Sequence, residues 1–249
     1  MSSAYNKFAW FYDKLQSNVD YKKIADLFDD FIKKYSAENE VICDLACGTG
    51  SLSMEMNKLG YDVIGVDLSQ DMLNEALEKK YDEGLDIQYL CQNMTELDLY
   101  GAADVILCVL DSINHLESFD DVSKTIERAG MFTCKGGLFI FDVNTKYKHR
   151  EILGSNAFNF DLDGLFCAWQ NELCDDDSVN IYLDFFEKQE DGKYERFSES
   201  FTERYFELDE IEKKLLENKF EIIGRYDDFS QQPLNEKSQR ALYVCRKLT

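Results

Sequence analysis

The run Val41-Ile42-Cys43-Asp44-Leu45-Ala46-Cys47-Gly48-Thr49-Gly50 constrains the fold more than any other stretch of the chain. A short apolar segment ends in a turn of small residues and leads into a helical pattern over 51–59. That order predicts the first strand, turn and helix of a nucleotide-binding α/β domain, in which small side chains let backbone amides approach a ligand.

The downstream sequence repeats the theme. Tyr61–Asp67 reads as a second strand ending in a carboxylate, and Ser69 followed by Asp71 and Met72 opens a helix through Leu73, Ala76 and Leu77. Residues 86–90 form a third strand, and 103–110 a fourth that is apolar enough to be covered on both faces. A helix over 119–131 and the turn Lys135-Gly136-Gly137 lead into a fifth strand, Leu138–Val143. Strand, turn and helix in this alternation predict a largely parallel sheet with right-handed crossovers.

After Asn144 the pattern changes. Strand-like segments around 165–174, 179–189 and 194–206 are separated by the polar turns 175–178 and 190–193. Phe197, Phe201 and Tyr205 interleave with Glu199 and Glu203, which is read as a sheet with one packed face. A helix over 208–218 then precedes strands at 220–226 and 241–245. The interval Asp227–Arg240 contains Pro233 and no amphipathic helix, so an antiparallel return is expected rather than a parallel crossover. Ahead of the first strand, Tyr5, Phe8, Trp10, Phe11, Tyr12 and Leu15 form an apolar group that covers the core edge or closes over a ligand mouth. Ile24, Leu27, Phe28 and Phe31 predict a packing helix within 19–35. The expected organisation is an N-terminal helical cover over 1–35, a core over 36–149 and 207–249, and an antiparallel β insertion over 150–206 that serves as a substrate lid.

Charge narrows the partners. Against 27 basic residues stand 49 acidic ones, and the net charge of −22 repels phosphate backbones and anionic membranes. No nucleic-acid or membrane partner is therefore expected. Of the eight cysteines, Cys43, Cys91, Cys108, Cys134 and Cys245 lie in or beside apolar runs and read as reduced core residues. No secretion signal is read, and no apolar run approaches the roughly 20 residues of a membrane span, so a cytoplasmic protein is expected.

On Asp44–Gly50, Val66-Asp67-Leu68-Ser69, Gln92-Asn93-Met94 and Gly136-Gly137, the chain resembles a class I S-adenosylmethionine-dependent methyltransferase along nearly its whole length. Within that family it is most similar to bacterial small-molecule methyltransferases with a β-rich insertion. The resemblance implies a Rossmann-like α/β fold, a seven-stranded mixed sheet with the last strand reversed. It implies that Gly48 and Gly50 surround the methionine part of the cofactor, with Asp44 at its ammonium end and Ala46 where the family usually has glycine. Asp67 ends the second strand, where an ionised carboxylate can accept from two ribose hydroxyls. Asn93 is expected at the adenine, with Leu68 and Met94 against the ring.

The stretch Leu110-Asp111-Ser112-Ile113-Asn114-His115 ends the fourth strand, in the region the family uses near the transferred methyl. Leu110 is expected beside the cofactor. Asp111, Asn114 and His115 are candidates to orient the acceptor, His115 also as a base with an ordinary pKa near 6.5. Tyr12 is a third catalytic candidate, and Tyr147, His149, Trp169 and Tyr205 are further pocket candidates that equally suit structural anchoring. Methyl transfer from a sulfonium is an in-line substitution that positioning alone can accelerate. No metal site is read. A nicotinamide-dependent oxidoreductase is the competing enzyme, but its fingerprint expects glycine where this chain has Ser53. A non-catalytic S-adenosylmethionine-binding protein is the competing class, since fold alone does not establish turnover. The acceptor and the oligomeric state are not legible in the sequence.

Overall fold

The computed structural model describes residues 9, 11–36 and 40–249. Tyr5, Phe8 and Trp10 of the apolar N-terminal group lie outside the described residues, whereas residues 11–15 are helical. Helix α1 (Tyr21–Tyr35) starts at Asp20, whose side chain accepts from the Lys23 backbone N–H at 3.0 Å. Its stripe Ile24, Phe28, Phe31 and Ile32 is buried.

In chain order there follow β1 (Val41–Leu45), α2 (Ser51–Lys58), β2 (Asp62–Asp67), α3 (Gln70–Glu83), β3 (Ile87–Cys91), β4 (Ala103–Cys108), α4 (Phe119–Phe132) and β5 (Thr133–Asn144). Strands β6 (Ala157–Leu162), β7 (Leu165–Leu173), β8 (Val179–Lys188) and β9 (Tyr194–Glu203) come next. Helix α5 (Leu208–Glu217), β10 (Phe220–Asp227) and β11 (Arg240–Lys247) complete the order.

The main sheet has seven strands in the order β10-β11-β5-β4-β1-β2-β3. The strands β1 to β5 run parallel, and β11 lies antiparallel between β5 and β10, as the absence of a crossover helix in 227–240 predicts. Alternation within each strand divides the core. Cys43, Leu45, Ile106, Cys108, Phe139, Phe141 and Tyr243 face α4 and α5, whereas Ile42, Val105, Leu107, Ile140 and Leu242 face α1 and α2. Every residue of β4 is buried, the signature of a strand covered on both faces.

β5 is longer than expected. It begins directly after α4, and Lys135-Gly136-Gly137 is an irregularity inside it, between the pairs Ala103↔Thr133 and Val105↔Leu138, rather than a turn before it. All eight cysteines are free thiols, but Cys91 is exposed because it ends the edge strand β3. Among the described residues no helix is long and apolar enough to cross a membrane.

The second sheet is antiparallel, β6-β7-β8-β9. Its first strand is absent from the sequence reading, although Asp163-Gly164 between β6 and β7 is a two-residue hairpin turn. One face carries Leu165, Cys167, Ile181, Leu183 and Phe185, closed by Phe11 and Leu153. The interleaving of Phe197 and Phe201 with Glu199 and Glu203 does not separate two faces. Residues two apart on a strand share a face, so these glutamates lie on the same side as the phenylalanines.

Candidate active site

The turn after β1 is built from left-handed backbone. Ala46, Gly48 and Gly50 have φ of 60°, 55° and 75°. A β-carbon on Gly50 would lie 2.3 Å from the Tyr89 hydroxyl oxygen, so that position requires glycine for space as well as for conformation. Asp44 at the end of β1 is buried and accepts from Ser53 Oγ at 2.5 Å. Burial pushes its carboxyl up to about 6, against the pull of the Ser53 bonds.

Asp67 accepts from the Gly48 N–H and the Ser69 N–H, both at 2.8 Å, so the end of β2 is tied to the glycine turn. Burial raises its pKa, and those amides oppose the rise. Leu68 beside it is 67% exposed, an unusual position for a large apolar side chain. Asn93 uses its carboxamide oxygen to accept from Thr95 N–H at 3.0 Å, capping the short turn Met94–Glu96. Met94 packs half-buried against the core.

At the end of β4, Leu110 and Asp111 both have positive φ, 59° and 56°. Two adjacent non-glycine residues in this region cost backbone energy, and the surroundings hold them there. The fully buried Asp142 accepts from Leu110 N–H at 2.6 Å and Asp111 N–H at 3.0 Å. Arg240 on β11 donates to Asp142 at 2.7 Å and to Asp111 at 2.8 Å. Burial would raise the Asp111 pKa, but Arg240, Lys148 and His115 outweigh it and hold the carboxyl well below its ordinary range.

Asn114 is a staple. Its Oδ1 accepts from Asn144 N–H at 2.8 Å, its Nδ2 donates to the Arg204 carbonyl at 2.7 Å, and its own carbonyl accepts from Arg204 N–H at 2.7 Å. It is fully buried, and these bonds join β5 to the end of β9. His115 is exposed at the site mouth and packs against Phe201 at 5.1 Å between ring centroids. Dense protein on its other side lowers its pKa, opposed by Asp111 and Asp67.

Glu203 is the residue the sequence reading passed over. The ligating atoms of Asp111, His115 and Glu203 lie within 4.8 Å of one another. Burial, and then the Asp111 charge, push the Glu203 carboxyl up to about 7, with Lys148 and a bond from Asn144 pulling it back.

The N-terminal segment lies over the glycine turn. Tyr12, Tyr21, Asp44, Ala46, Gly48, Leu110 and Ser112 are among the residues lining one pocket. Asp13 fastens the segment by accepting from Thr49 Oγ1 at 2.5 Å and Lys79 Nζ at 2.7 Å. The other pocket candidates take structural positions. His149 is buried with Nδ1 donating to the Asp177 carbonyl at 2.9 Å, Tyr205 donates to Glu207 at 2.8 Å, and Trp169 packs against Phe158 and Phe160 while its indole N–H donates to Asn171. Tyr147 is half-buried just before the π-helical turn Lys148–Leu153.

A mixed sheet of this order, with a small-residue turn after β1 and an acid at the end of β2, defines a Rossmann-like nucleoside-binding fold closed by an antiparallel strand pair. A family described as "Methyltransferase domain" matches residues 42–137. A methyltransferase-family protein of Geobacillus sp. (strain WCH70) is 32% identical over 98% of this chain and 99% of its own length. The crystal structure of an S-adenosylmethionine-dependent methyltransferase from Clostridium acetobutylicum is 35% identical, covers 98% of this chain and 99% of that one, and superposes with a TM-score of 0.89. The CcbJ methyltransferase from Streptomyces caelestis shares the fold over 100% of both chains at 19% identity, with a TM-score of 0.81. The chain belongs to the class I S-adenosylmethionine-dependent methyltransferases, and its cofactor is S-adenosylmethionine.

Proposed function

We propose that this enzyme methylates a small molecule held between the carboxyl ends of the main-sheet strands, the N-terminal cover and the inner face of the second sheet. The observation that carries the reading is convergence. Tyr12 from the cover and Leu110 and Ser112 from the β4 end line one pocket, and Asp111, between those last two in the chain, has its carboxylate within 4.8 Å of that of Glu203 from β9. A site walled by two sheets and a strap suits a compact acceptor better than a polymer. The net charge of −22 also disfavours nucleic acid. The second sheet, with flanking residues 150–206, then acts as the acceptor-side lid of a core formed by 36–149 and 207–249.

The chemistry of the site suits the cofactor. Asp44 is a buried carboxylate and Asp67 a half-buried one, and among the described residues neither forms an ion pair. A ligand bearing an ammonium and a sulfonium supplies the missing positive charge. In this reading Asp44, Ala46, Gly48 and Gly50 hold the amino-acid end and Asp67 the ribose hydroxyls. Leu68, Asn93 and Met94 frame the adenine, and Leu110 lies near the sulfur. S-adenosylmethionine supplies a methyl group on a positively charged sulfur. The residues of the chain align the acceptor and keep water away.

Calorimetric titration with S-adenosylhomocysteine should show saturable binding, weakened at least roughly tenfold in Asp67→Ala, since each ribose hydroxyl loses a charged acceptor. Methyl transfer from labelled S-adenosylmethionine should appear in the dialysable fraction of a cell extract and not in the retained macromolecules. Label confined to macromolecules would sink the small-molecule assignment.

A further inference from the structure

Glu203 has no structural need of its charge. It is 4% exposed at the end of β9, and Asn144 Nδ2 donates to one of its oxygens at 2.8 Å. A glutamine could accept the same bond without the cost of burying an ionisable group. Asn144 Oδ1 in turn accepts from Lys148 Nζ at 2.9 Å. Among the described residues, the charged and titratable groups that act most strongly on Glu203 or stand nearest to it are Asp111 beyond β4, His115 in the turn after it, Lys148 beyond β5, and Arg240 on β11.

The charge balance there selects a ligand. Arg240 also meets Asp228 at 3.3 Å, but that side chain is 63% exposed and screened by water. Of the groups shielded from solvent, Asp111, Asp142 and ionised Glu203 stand against Arg240 and Lys148, which leaves one negative charge uncompensated. A single positive charge matches that surplus, and a divalent ion exceeds it. Phe201 and the neutral ring of His115 border the same space with apolar surface.

We propose that the methyl acceptor is an amine that arrives as its ammonium ion, and that Glu203 is the catalytic base that removes its proton. The inference rests on the small-molecule reading given above. In the first step an N–H bond of the ammonium breaks, its electron pair stays on nitrogen, and the proton forms an O–H bond with the Glu203 carboxylate. The freed pair then forms the N–C bond to the methyl carbon as the C–S bond breaks, its electrons remaining on sulfur. The products are an N-methylammonium ion and the thioether, and Glu203 returns its proton to solvent past His115. Burial, which raises the affinity of a carboxylate for its proton and lowers that of an amine, brings donor and acceptor together in the range near neutrality.

The test uses the full chain and matched probes: cyclohexylamine against cyclohexanol, benzylamine against benzyl alcohol, and glucosamine against glucose. Product S-adenosylhomocysteine is quantified by mass spectrometry, and amine binding to the S-adenosylhomocysteine complex is measured calorimetrically in two buffers of different ionisation enthalpy to count protons. At least one amine should be methylated and its matched alcohol should not. Glu203→Gln should lower turnover of that amine at pH 7 by roughly a hundredfold or more, with the deficit shrinking as pH approaches the pKa of the free amine. Its affinity for S-adenosylhomocysteine should be unchanged, and the proton count on amine binding should differ from the wild type. Glu203→Asp should recover part of the rate. Preference for an alcohol, no amine turnover by protein that binds S-adenosylhomocysteine, or an unchanged pH profile in Glu203→Gln overturns the proposal. Loss of S-adenosylhomocysteine binding in folded wild-type protein would instead overturn the cofactor-site reading beneath it.

Discussion

At φ 60° Ala46 occupies a backbone region that costs an L-residue about 1–2 kcal/mol. Glycine there would remove that cost while adding about 0.4–1 kcal/mol of unfolded-state entropy. Ala46→Gly is therefore expected to stabilise the protein by about 0.5–1 kcal/mol, read as a higher midpoint in urea denaturation, and a lower midpoint would show that the methyl group packs favourably. The small-residue turn was legible because its spacing belongs to one short segment. Glu203 was not, because reading its neighbours as two faces hid the fact that Phe197, Glu199, Phe201 and Glu203 all point the same way. Its burial depends on Asn144 and Asp111, both distant in sequence. Asn114 carries a cross-strand role that its place in the loop does not reveal, because its hydrogen bonds reach Asn144 and Arg204, far away in sequence.

Strands β1, β2, β4 and β11 were legible from apolar runs bounded by turns, and the reversed return of β11 followed from what the preceding loop lacks. β6 escaped because it is an edge strand with alternate residues exposed, so its apolar signal is weak. The clasp at the end of β4 was invisible, since it joins Asp111, Asp142 and Arg240 from three elements. Removing the cation with Arg240→Met keeps most of the aliphatic volume but leaves the buried Asp142 and the half-buried Asp111 without it, at a cost of about 3–5 kcal/mol near pH 8. In the wild type the depressed Asp111 pKa contributes stability above its unfolded value near 4 and loses it below. In the variant the sign reverses. Without Arg240, burial raises the folded pKa of Asp111 above its unfolded value and lifts that of Asp142, already raised in the wild type, further, so stability returns as pH falls. Denaturation at pH 8 and pH 5.5 should show the gap narrowing at the lower pH, and a gap independent of pH would mean that lost packing rather than lost charge is responsible.

The two sheets act as one site only if something spans them, and the N-terminal segment does so within a few residues. Phe11 is 1% exposed, stacked at 4.8 Å on Phe197 and 5.7 Å on Phe185 of the second sheet. Tyr12 lies beside Gly48, and Asp13 binds Thr49 and Lys79 on the main-sheet side. The apolar N-terminus was legible as a cover, but not which ring anchors it, because the anchor is a cross-sheet contact far away in sequence. Truncating a core phenylalanine costs about 3–5 kcal/mol when its whole surroundings must unfold with it. A short strap can instead undock locally, which limits the loss to its own opening free energy. Phe11→Ala is thus expected to expose residues 11–15 to hydrogen exchange and to weaken S-adenosylhomocysteine binding roughly tenfold, while exchange in β1, β4 and β8 stays slow. If the strap opens and affinity holds, the cover anchors the second sheet without closing on the cofactor. If β8 exchanges along with it, the strap and the second sheet form one cooperative unit, and lid motion must involve both.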